Sequence, residues 1–397
     1  MARSRIVLRL DEKVDESLFS EIIKQSVYVS EDAESIDIDK KERTLIVDVS
    51  EGADTKTIED KFSRFLSVIS AKFRKMNSKI YFSNLENHPL EIAENVFDIL
   101  VEKGWLFPIG HGQVALAGLP LNLLKGLDRR LETEYKKRFR HQDRYYPAMI
   151  RADLLYKCGY FDSHPDALTF VSHLKEDFDG IERFRVQNSS NGYVRNTKDF
   201  TPEPEYCLNP AACFPSYETF EGKKVGEGIT ISWTGRVFRY ESKNIQGLDR
   251  LWEYNVRELV AIGPKEFVID FKERCLRMIE ELISEWELYG KIETAADSFF
   301  ATVHTAKSFW QKATDSKLEI KLPVKRDGDE IREIAAGSIN IHGTFFGERF
   351  SIKAGVKEEH AESACLGWGL ERLLFAVLAR HGLDDSKWPE SLRQLLI

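Results

Sequence analysis

Two short segments carry side chains whose types and spacing suit a nucleotide. The first is Gly235–Ser242, with the sequence GRVFRYES. In a strand, alternate side chains share a face, so Arg239 and Glu241 would point one way and Phe238 and Tyr240 the other. The forked guanidinium of arginine binds phosphate oxygens, and a carboxylate accepts a hydrogen bond from an adenine amino group. An exposed strand ion pair has the same pattern, so this segment alone does not establish a nucleotide site.

The second segment is Ser363–Leu373, with the sequence SACLGWGLERL. Strand alternation puts Gly367 and Gly369 on one face, where two glycines let a flat ligand lie against the backbone. Arg372 follows at the start of a helix, where its planar guanidinium can stack on a base. The same alternation puts Trp368 on the opposite face, and we expect it in the core. A tight joint between a strand and a helix would need the glycines but not the arginine.

The elements that position these residues fall into two regions. Residues 1–85 have the order β-α-β-β-α, with amphipathic helices over Asp15–Val27 and Thr55–Phe73 and a hairpin over Ser35–Val49. This order predicts a small α+β domain. Residues 86–397 mix short strands with segregated helices, which predicts an α+β fold with an antiparallel sheet flanked by helices. The helices predicted there are Leu90–Lys103, Leu121–Arg140, Pro264–Tyr289 and Leu370–His381, the last ending at Gly382.

The composition excludes several classes of protein. The 397 residues are 42% hydrophobic and 31% charged, which is typical of a soluble globular protein. An apolar run of membrane-spanning length and an apolar leader are both absent from the sequence, so we expect no membrane partner and a cytoplasmic location. The net charge of −8 argues against a general polyanion binder. The cysteines are odd in number and scattered, which argues against a disulfide framework, and Cys158 and Cys275 are expected to be core thiols.

The two segments together resemble a known family. Phe238–Glu241 (FRYE) and Gly367–Arg372 (GWGLER) are similar to motifs 2 and 3 of the class II aminoacyl-tRNA synthetases. The residues around Cys213, Glu258 and Cys365 resemble the zinc-ligand positions of two groups, the methanogen-type seryl-tRNA synthetases and the amino acid:[carrier protein] ligases. The resemblance covers about residues 88–397 and extends to Tyr145–Ile150 (like motif 1), Cys158–Tyr160, Asp297–Phe300, Ser338–His342 and the tail from Gly382 to Pro389.

The resemblance implies a zinc site with one carboxylate and two thiolates. These are good ligands for Zn²⁺, and three protein ligands leave the fourth position open. In the resembling enzymes the amino group of the substrate takes that position. Cys207 is a rival for Cys213, and Glu253 is a rival for Glu258. The surrounding sequence favours Cys213 and Glu258, with Cys365 as the third ligand.

The implied reaction is attack of the substrate carboxylate on the α-phosphate of ATP, which forms aminoacyl-adenylate and pyrophosphate. Catalysis of such a step is mostly positioning and electrostatics. The resemblance assigns Arg239 to the α-phosphate, Glu241 to the adenine amino group and Arg372 to the adenine face. Glu333, five residues before Ser338, matches a Mg²⁺-binding glutamate of the seryl enzymes.

The substrate implied by the resemblance is a small amino acid, with glycine, alanine and serine as alternatives. Strand alternation puts Ser338, Asn340 and His342 on one face, where they could contact this substrate. A purely structural role for His342 remains open. Because motif 1 forms the dimer interface in class II enzymes, Tyr145–Ile150 implies a homodimer.

Two acceptors for the activated amino acid remain as alternatives. One is the thiol of the phosphopantetheine arm of a carrier protein, and the other is a terminal ribose hydroxyl of tRNA, as in a zinc-dependent seryl-tRNA synthetase. The segment Asp297–Leu318 and the short tail after motif 3 are closer to the carrier-protein ligases, so we predict the carrier protein. Residues 1–85 favour tRNA instead, because the methanogen-type seryl enzymes also begin with an α+β domain. A non-catalytic paralogue acting as a binding subunit is the third alternative.

Basic residues concentrate in two stretches that could face an acidic partner. We predict that residues 1–85 help to hold the carrier protein, and that deleting them would leave adenylate formation intact. A solvated helix face would show the same charge pattern. The first stretch comprises Lys61, Arg64, Lys72, Arg74, Lys75 and Lys79, and the second comprises Arg129, Arg130, Lys136, Lys137, Arg138 and Arg140.

Overall fold

A computed structural model describes most of the chain. It covers residues 4–72, 78–87, 91–189, 192, 194–245, 247–296, 311, 314–327 and 330–396. The predicted similarity over Asp297–Phe300 and the basic residues Arg74 and Lys75 lie outside these ranges. The described residues form two hydrophobic cores, one between Ile6 and Ile69 and the other between Val96 and Leu395.

The first core belongs to a small N-terminal unit with the predicted element order. It consists of β1 (Ser4–Arg9), α1 (Phe19–Ser26), β2 (Ala33–Asp39), β3 (Thr44–Val49) and α2 (Thr55–Lys72). β2 and β3 form the predicted hairpin, and β1 pairs antiparallel with the other side of β3. Alternation along β3 turns Leu45, Val47 and Val49 inward, where they meet Phe62 and Ile69 of α2 in a buried core.

The second core belongs to the larger region. Its strands are β4 (Ile80–Ser83), β5 (Leu106–Gly110), β6 (Gln113–Leu116), β7 (Gln142–Asp143), β8 (Met149–Arg151), β9 (Phe170–Val171), β10 (Tyr206–Leu208), β11 (Ile229–Phe238), β12 (Glu253–Gly263), β13 (Lys291–Thr294), β14 (Lys317–Asp327), β15 (Glu330–Gly343), β16 (Lys353–Ala354), β17 (Glu359–His360) and β18 (Glu362–Gly369). Its helices are α3 (Val96–Glu102), α4 (Gly118–Phe139), α5 (Ala152–Lys157), α6 (Tyr160–Ser163), α7 (Phe178–Asn188), α8 (Thr197–Phe200), α9 (Phe214–Thr219), α10 (Lys265–Glu285), α11 (Phe345–Arg349), α12 (Leu370–His381) and α13 (Glu390–Arg393).

A large sheet organises this region. Within the described ranges its strand order is β4-β13-β14-β15-β18-β12-β11-β7, and the pairs are antiparallel except for the short parallel contact between β7 and β11. α10 packs on β12 and β18, and α12 packs on β14 and β15. The predicted fold class, an antiparallel sheet flanked by helices with a small α+β unit before it, is confirmed.

The pairing of β4 differs from the predicted boundary between the two regions. Ile80–Ser83 was placed with the N-terminal domain by the predicted boundary at residue 85, yet it pairs with Lys291–Thr294 at the edge of the large sheet. We therefore propose that the division lies between the end of α2 and residue 78. No helix within the described part of the chain is long and apolar enough to cross a membrane.

Helix boundaries differ from the predictions where the backbone leaves helical geometry. α12 has the predicted bounds, and Gly382 after it has a φ of +70°. α3 begins at Val96 rather than Leu90, because Asn95 has a φ of 54° and the amide of Ala93 donates to the carbonyl of Ala379. Ala93 is therefore hydrogen-bonded to α12, and the residues before Val96 do not form a first turn of α3.

A buried ion pair fixes α4 to the centre of the sheet. Arg257 of β12 donates from Nε and Nη2 to the two carboxylate oxygens of Asp128, at 2.7 and 2.8 Å. Thr234 of the neighbouring strand donates to the same carboxylate. Bidentate pairs of this kind set orientation as well as distance. The contact holds the segment of β12 that carries Glu258, the next residue.

Candidate functional site

Three buried side chains meet on one face of the large sheet. Cys213, Glu258 and Cys365 each offer a ligand atom, and these atoms all lie within 4.8 Å of one another. Glu258 comes from β12 and Cys365 from the neighbouring β18, whereas Cys213 lies directly before α9. We call this group the Cys–Glu–Cys triad. Two thiols and a carboxyl group at this separation form a donor set that fits a zinc ion with an open fourth position.

Burial and mutual proximity raise the pKa of all three groups of the triad. The pKa of Glu258 is raised well above its usual value, first by burial and then by the neighbouring Cys365. The pKa of Cys365 is raised by its hydrogen bond with Cys213 and by burial. The hydrogen bond with Cys365 lowers the pKa of Cys213, but burial and Glu258 outweigh it and the net shift is upward. A divalent cation reverses this balance, because its ligands bind in their deprotonated forms.

The rival ligands lie elsewhere. Cys207 is buried on β10, in the small sheet that β10 forms with β8 and β9. Glu253 lies at the start of β12, where it accepts from Gln113 and is 3.6 Å from Arg236. Neither residue belongs to a group of metal-capable side chains within the described residues.

Gly367 leaves room for the carboxylate of the triad. It lies directly opposite Glu258 in the pairing of β12 with β18. A Cβ atom at position 367 would lie 2.8 Å from Oε2 of Glu258, closer than any ordinary contact. Trp368, on the other face, is fully buried, as its alternation predicted. The first glycine of the GWGLER segment is therefore needed by the carboxylate of the triad.

Three polar residues of β15 continue the site beside Cys365. Asn340 donates from Nδ2 to Oγ of Ser338 at 3.1 Å and lies 3.7 Å from the sulfur of Cys365. Nε2 of His342 is 3.8 Å from the same sulfur. The other ring nitrogen of His342 is 3.1 Å from Oγ of Ser363. The structure thus brings the predicted face of Ser338, Asn340 and His342 against the triad.

A bulge places Glu333 on this same face. The register of β15 against β14 shifts between Ile320 and Lys321, which inserts one extra residue between Ala335 and Gly337. Such an insertion changes the alternation, so Glu333 shares the face of Ser338 although five positions separate them. Oε2 of Glu333 lies 2.9 Å from Nζ of Lys291. The carboxylate predicted to bind Mg²⁺ therefore has a lysine partner in this structure.

The sequence analysis missed the charged side chains that surround this glutamate. Direct pairing across five strands aligns Glu258, Gly367, Ser338, Glu319 and Glu293 in one row. Lys291 and Lys321 lie in the adjacent row and pair with Glu293 at 3.6 and 2.7 Å. The sequence signal for these charged side chains was the alternation of lysine and glutamate in Lys291–Thr294 (KIET) and Lys317–Lys321 (KLEIK). The same alternation also fits an exposed strand.

Arg239 and Glu241 lie beyond the end of their strand. β11 ends at Phe238, so the predicted shared strand face for these two residues is wrong. The amide of Tyr240 donates to the carbonyl of Ala167 rather than to a strand neighbour, and Ser242 has a φ of 48°. The chain turns here, so strand alternation does not describe the positions of these two side chains.

Both side chains are nevertheless oriented by specific contacts. Arg239 donates from Nε to the carbonyl of Pro210 at 2.9 Å, and its charge acts on the carboxyl group of Glu258. Glu241 forms an ion pair of 2.6 Å with Arg250, a residue the sequence analysis did not select. Arg239 is therefore bound to the chain segment that carries Cys213, whereas Glu241 lies in the turn that follows.

Arg372 is anchored at the start of α12. It donates from Nε to the carbonyl of Asp249 at 2.6 Å and from Nη1 to that of Ala335 at 3.3 Å. Its guanidinium carbon is 5.7 Å from the ring centre of Tyr254. These contacts fix the guanidinium between the carbonyls of Asp249 and Ala335 and the ring of Tyr254.

Comparison with known proteins identifies the family. The model of the tRNA synthetase class II core domain (G, H, P, S and T) matches residues 196–381. An amino acid–[acyl-carrier-protein] ligase of Bradyrhizobium diazoefficiens is 31% identical over 259 residues, covering 64% of this chain and 75% of that protein. The chain belongs to the class II aminoacyl-tRNA synthetase family. The predicted family is therefore confirmed. The relative from Bradyrhizobium diazoefficiens is named as a ligase, which agrees with the predicted enzyme class.

Other relatives of this class II chain are longer. A type-2 serine–tRNA ligase of Methanocaldococcus jannaschii is 28% identical over 322 residues, which is 79% of this chain but 60% of that protein. Among solved structures, M. kandleri SerRS in complex with A. aeolicus tRNASec superposes with a TM-score of 0.71 at 20% identity, covering 99% of this chain and 77% of the other. At this identity the match shows the fold alone, and it includes the N-terminal unit.

Proposed function

We propose that this chain activates a small amino acid with ATP and holds the amino group of that substrate at a zinc ion bound by Cys213, Glu258 and Cys365. The observation that carries the proposal is the geometry of the triad, whose three ligand atoms lie within 4.8 Å of one another, next to the chain segment that Arg239 of the family's motif 2 binds through the carbonyl of Pro210. One site thus offers a metal position for an amine and a guanidinium for a phosphate. Family membership supports the use of ATP.

Each protein group has a defined task in this reaction. A carboxylate oxygen of the amino acid attacks the α-phosphorus of ATP, and the bond to the pyrophosphate oxygen breaks. When bound, zinc supplies a Lewis-acid position that selects a neutral amine. Arg239 stabilises the negative charge that develops on the phosphoryl oxygens. Glu241 accepts from the adenine amino group, and Arg372 stacks on the adenine.

Magnesium has a proposed position at Glu333. An oxygen ligand on the same sheet face as Ser338 suits Mg²⁺, which binds protein carboxylates together with substrate phosphates. The ion pair with Lys291 must open or rearrange for this. A Mg²⁺ ion at Glu333 would replace the positive charge that the ammonium of Lys291 places beside this carboxylate in the structure.

Zinc content is the direct test of the triad. Replacing Cys365 by serine should reduce bound zinc from about one ion per chain to a small fraction, because an alcohol is a poor ligand beside a thiolate. Elemental analysis of the purified protein measures this. The matched control is Cys207→Ser, which also alters a buried thiol but lies on β10. Unchanged zinc in Cys365→Ser, or equal loss in both variants, would contradict the assignment.

The substrate should be glycine, alanine or serine. Asn340 and His342 both approach the sulfur of Cys365 within 4 Å, so the wall beside the open ligand position is close. We expect ATP–pyrophosphate exchange with at least one of these three amino acids and background exchange with leucine. Discrimination among the three is expected to be modest, because one methylene changes binding by about 1–3 kcal/mol. Exchange with leucine alone would refute a small site, and no exchange with any amino acid would favour a non-catalytic binding subunit.

The proposed acceptor is the phosphopantetheine thiol of a carrier protein. The chain covers three quarters of a carrier-protein ligase at 31% identity but only 60% of the serine–tRNA ligases. The second candidate, tRNA, is favoured by the structural match to M. kandleri SerRS, which includes the N-terminal unit. Cytoplasmic action is proposed in either case.

The basic stretch on α4 contributes little to this choice. Arg130 pairs with Glu134 and Glu285, and Arg138 pairs with Glu134 and Glu281. Lys136 pairs with Glu132. These cations are neutralised within the fold, so the N-terminal stretch, with exposed Lys61 and Arg64 on α2, is the better surface for an acidic partner.

We also propose a homodimer formed through the motif 1 region. Tyr145 and Met149 in this segment are 88% and 49% exposed. Large apolar side chains on a surface are typical of a region that a partner covers.

A further inference from the structure

The N-terminal unit contacts the turn that follows motif 2. Three hydrogen bonds join the two, and each involves a residue between positions 240 and 244. Tyr28 donates from its hydroxyl to the carbonyl of Tyr240 at 3.1 Å. Asn244 donates from Nδ2 to the carbonyl of Lys24 at 3.1 Å, and Lys243 donates from Nζ to the carbonyl of Glu31 at 3.3 Å. We call residues 240–244 the motif 2 turn.

The catalytic region holds the other side of this turn. The amide of Tyr240 donates to Ala167, and Nε2 of His111 lies 3.0 Å from the carbonyl of Ser242. The positive φ of Ser242 is a conformation that a non-glycine residue adopts at a cost and keeps only when its surroundings impose it. The motif 2 turn is therefore held by the catalytic region on one side and by the N-terminal unit on the other.

The N-terminal unit also lies near charged groups around the motif 2 turn. Burial lowers the pKa of Lys24, whose ammonium interacts with Glu21, Arg250 and Glu319. Burial raises the pKa of Tyr28, which lies near Glu241 and Asp166. Arg250 is the ion-pair partner of Glu241, so the charge of Lys24 acts on the same group that orients this glutamate.

We infer that Tyr28 of the N-terminal unit and Asn244 of the motif 2 turn are positioning residues for ATP, acting together to hold Glu241 where it meets the adenine. This inference rests on the proposed function, since it takes Glu241 as an adenine contact. It extends the role of residues 1–85 from partner binding to the nucleotide site itself. Under this inference, loss of the unit would weaken ATP binding, in contrast to the expectation that its deletion leaves adenylate formation intact.

The mechanism is pre-organisation of the turn. Glu241 has no strand neighbour to fix it, because β11 ends three residues earlier. Without the contacts from the N-terminal unit, the turn must be ordered by ATP when it binds, and that ordering weakens binding. The effect falls on ground-state and transition-state binding alike, so it raises the KM for ATP and leaves kcat nearly unchanged.

The test uses the full chain with Tyr28→Phe, Asn244→Ala and the double variant. Losing one neutral hydrogen bond should raise the KM for ATP in pyrophosphate exchange roughly three- to tenfold, with kcat within about twofold of wild type. The matched control is Tyr289→Phe, which also loses one hydrogen bond, from Arg380, at a site between α10 and β13. It should leave both constants unchanged.

Binding of a non-hydrolysable ATP analogue, measured by calorimetry, separates this inference from the proposed function. If wild type binds the analogue and the variants bind it three- to tenfold more weakly, the positioning role stands even where exchange is absent. Equal affinities in wild type and variants would overturn it. A decrease in kcat with unchanged KM, or an equal change in Tyr289→Phe, would overturn it as well. Wild type that binds the analogue but catalyses no exchange would contradict only the proposed function.

Discussion

Replacing Arg239 by alanine is expected to lower amino-acid-dependent ATP–pyrophosphate exchange by roughly a hundredfold or more. A charge-assisted contact to the reacting phosphate is worth on the order of 3 kcal/mol in the transition state. The contact should act mainly on kcat, since charge on the phosphoryl oxygens develops during the reaction. Steady-state exchange at saturating ATP and amino acid measures the effect.

The control for this variant lies on β11, the strand that ends directly before Arg239. Arg236→Ala also removes a guanidinium, but Arg236 is half exposed and faces Glu253 rather than the triad. Its exchange rate should stay within about twofold of wild type. Arg239→Lys keeps the charge and loses the forked geometry, so it should recover part of the loss. Near-normal exchange in Arg239→Ala would mean that this arginine only binds the carbonyl of Pro210.

Zinc should be measured in the same variants, because Arg239 has a second role. Its Nε bond to Pro210 holds the chain three residues before Cys213. Loss of exchange with normal zinc content would assign the effect to the phosphate. Loss of both would show that Arg239 acts through the triad.

The sequence could predict those side chains of the site that the pairing of neighbouring strands brings together. Glu258 and Cys365 belong to neighbouring strands, and Gly367 is opposite Glu258. Once the family motifs fix the register of these strands, their side chains must meet on one face. The bounds of α12 could be predicted equally well, because an apolar helical run ends at Gly382.

The parts that sequence could not predict depend on distant partners. The end of β11 at Phe238 follows from a hydrogen bond between Tyr240 and Ala167, which are 73 positions apart. The alternation that suggested a shared face for Arg239 and Glu241 continues past the point where the strand stops. The bulge in β15 similarly moves Glu333 to the face of Ser338, and no residue type in that segment requires it.

Charge patterns were the least informative signal. The cations of α4 looked like a binding surface, yet their partners Glu281 and Glu285 lie on α10, about 150 positions away. The alternating charges of β13 and β14 also fit exposed strands, yet Glu293 is buried in the row of paired residues that includes Glu258. A formal charge count does not distinguish a solvated cation from one neutralised within the fold.

The acceptor is tested by asking which molecule, a carrier protein or tRNA, receives the labelled amino acid. We expect the labelled amino acid to be transferred from the adenylate to a holo-carrier protein: the thiol sulfur attacks the carbonyl carbon, the thioester forms and AMP leaves. The assay supplies the chain with ATP, the amino acid selected by exchange, holo-carrier proteins and total tRNA. The apo-carrier, which lacks the phosphopantetheine arm, should remain unlabelled. Label that appears on tRNA, disappears with RNase and is absent from every carrier would contradict the prediction.

Charge reversal on α2 then tests how the partner is held. Lys61→Glu with Arg64→Glu should slow transfer to an acidic carrier several-fold at low salt, because steering by opposite charges raises the association rate. Lys40→Glu with Lys41→Glu, at the exposed hairpin turn, is the matched control. Exchange should be unaffected in both, since neither pair touches the motif 2 turn. Because tRNA is also a polyanion, the α2 variants would slow aminoacylation too. The charge variants therefore locate the docking surface, and the labelled product alone identifies the acceptor.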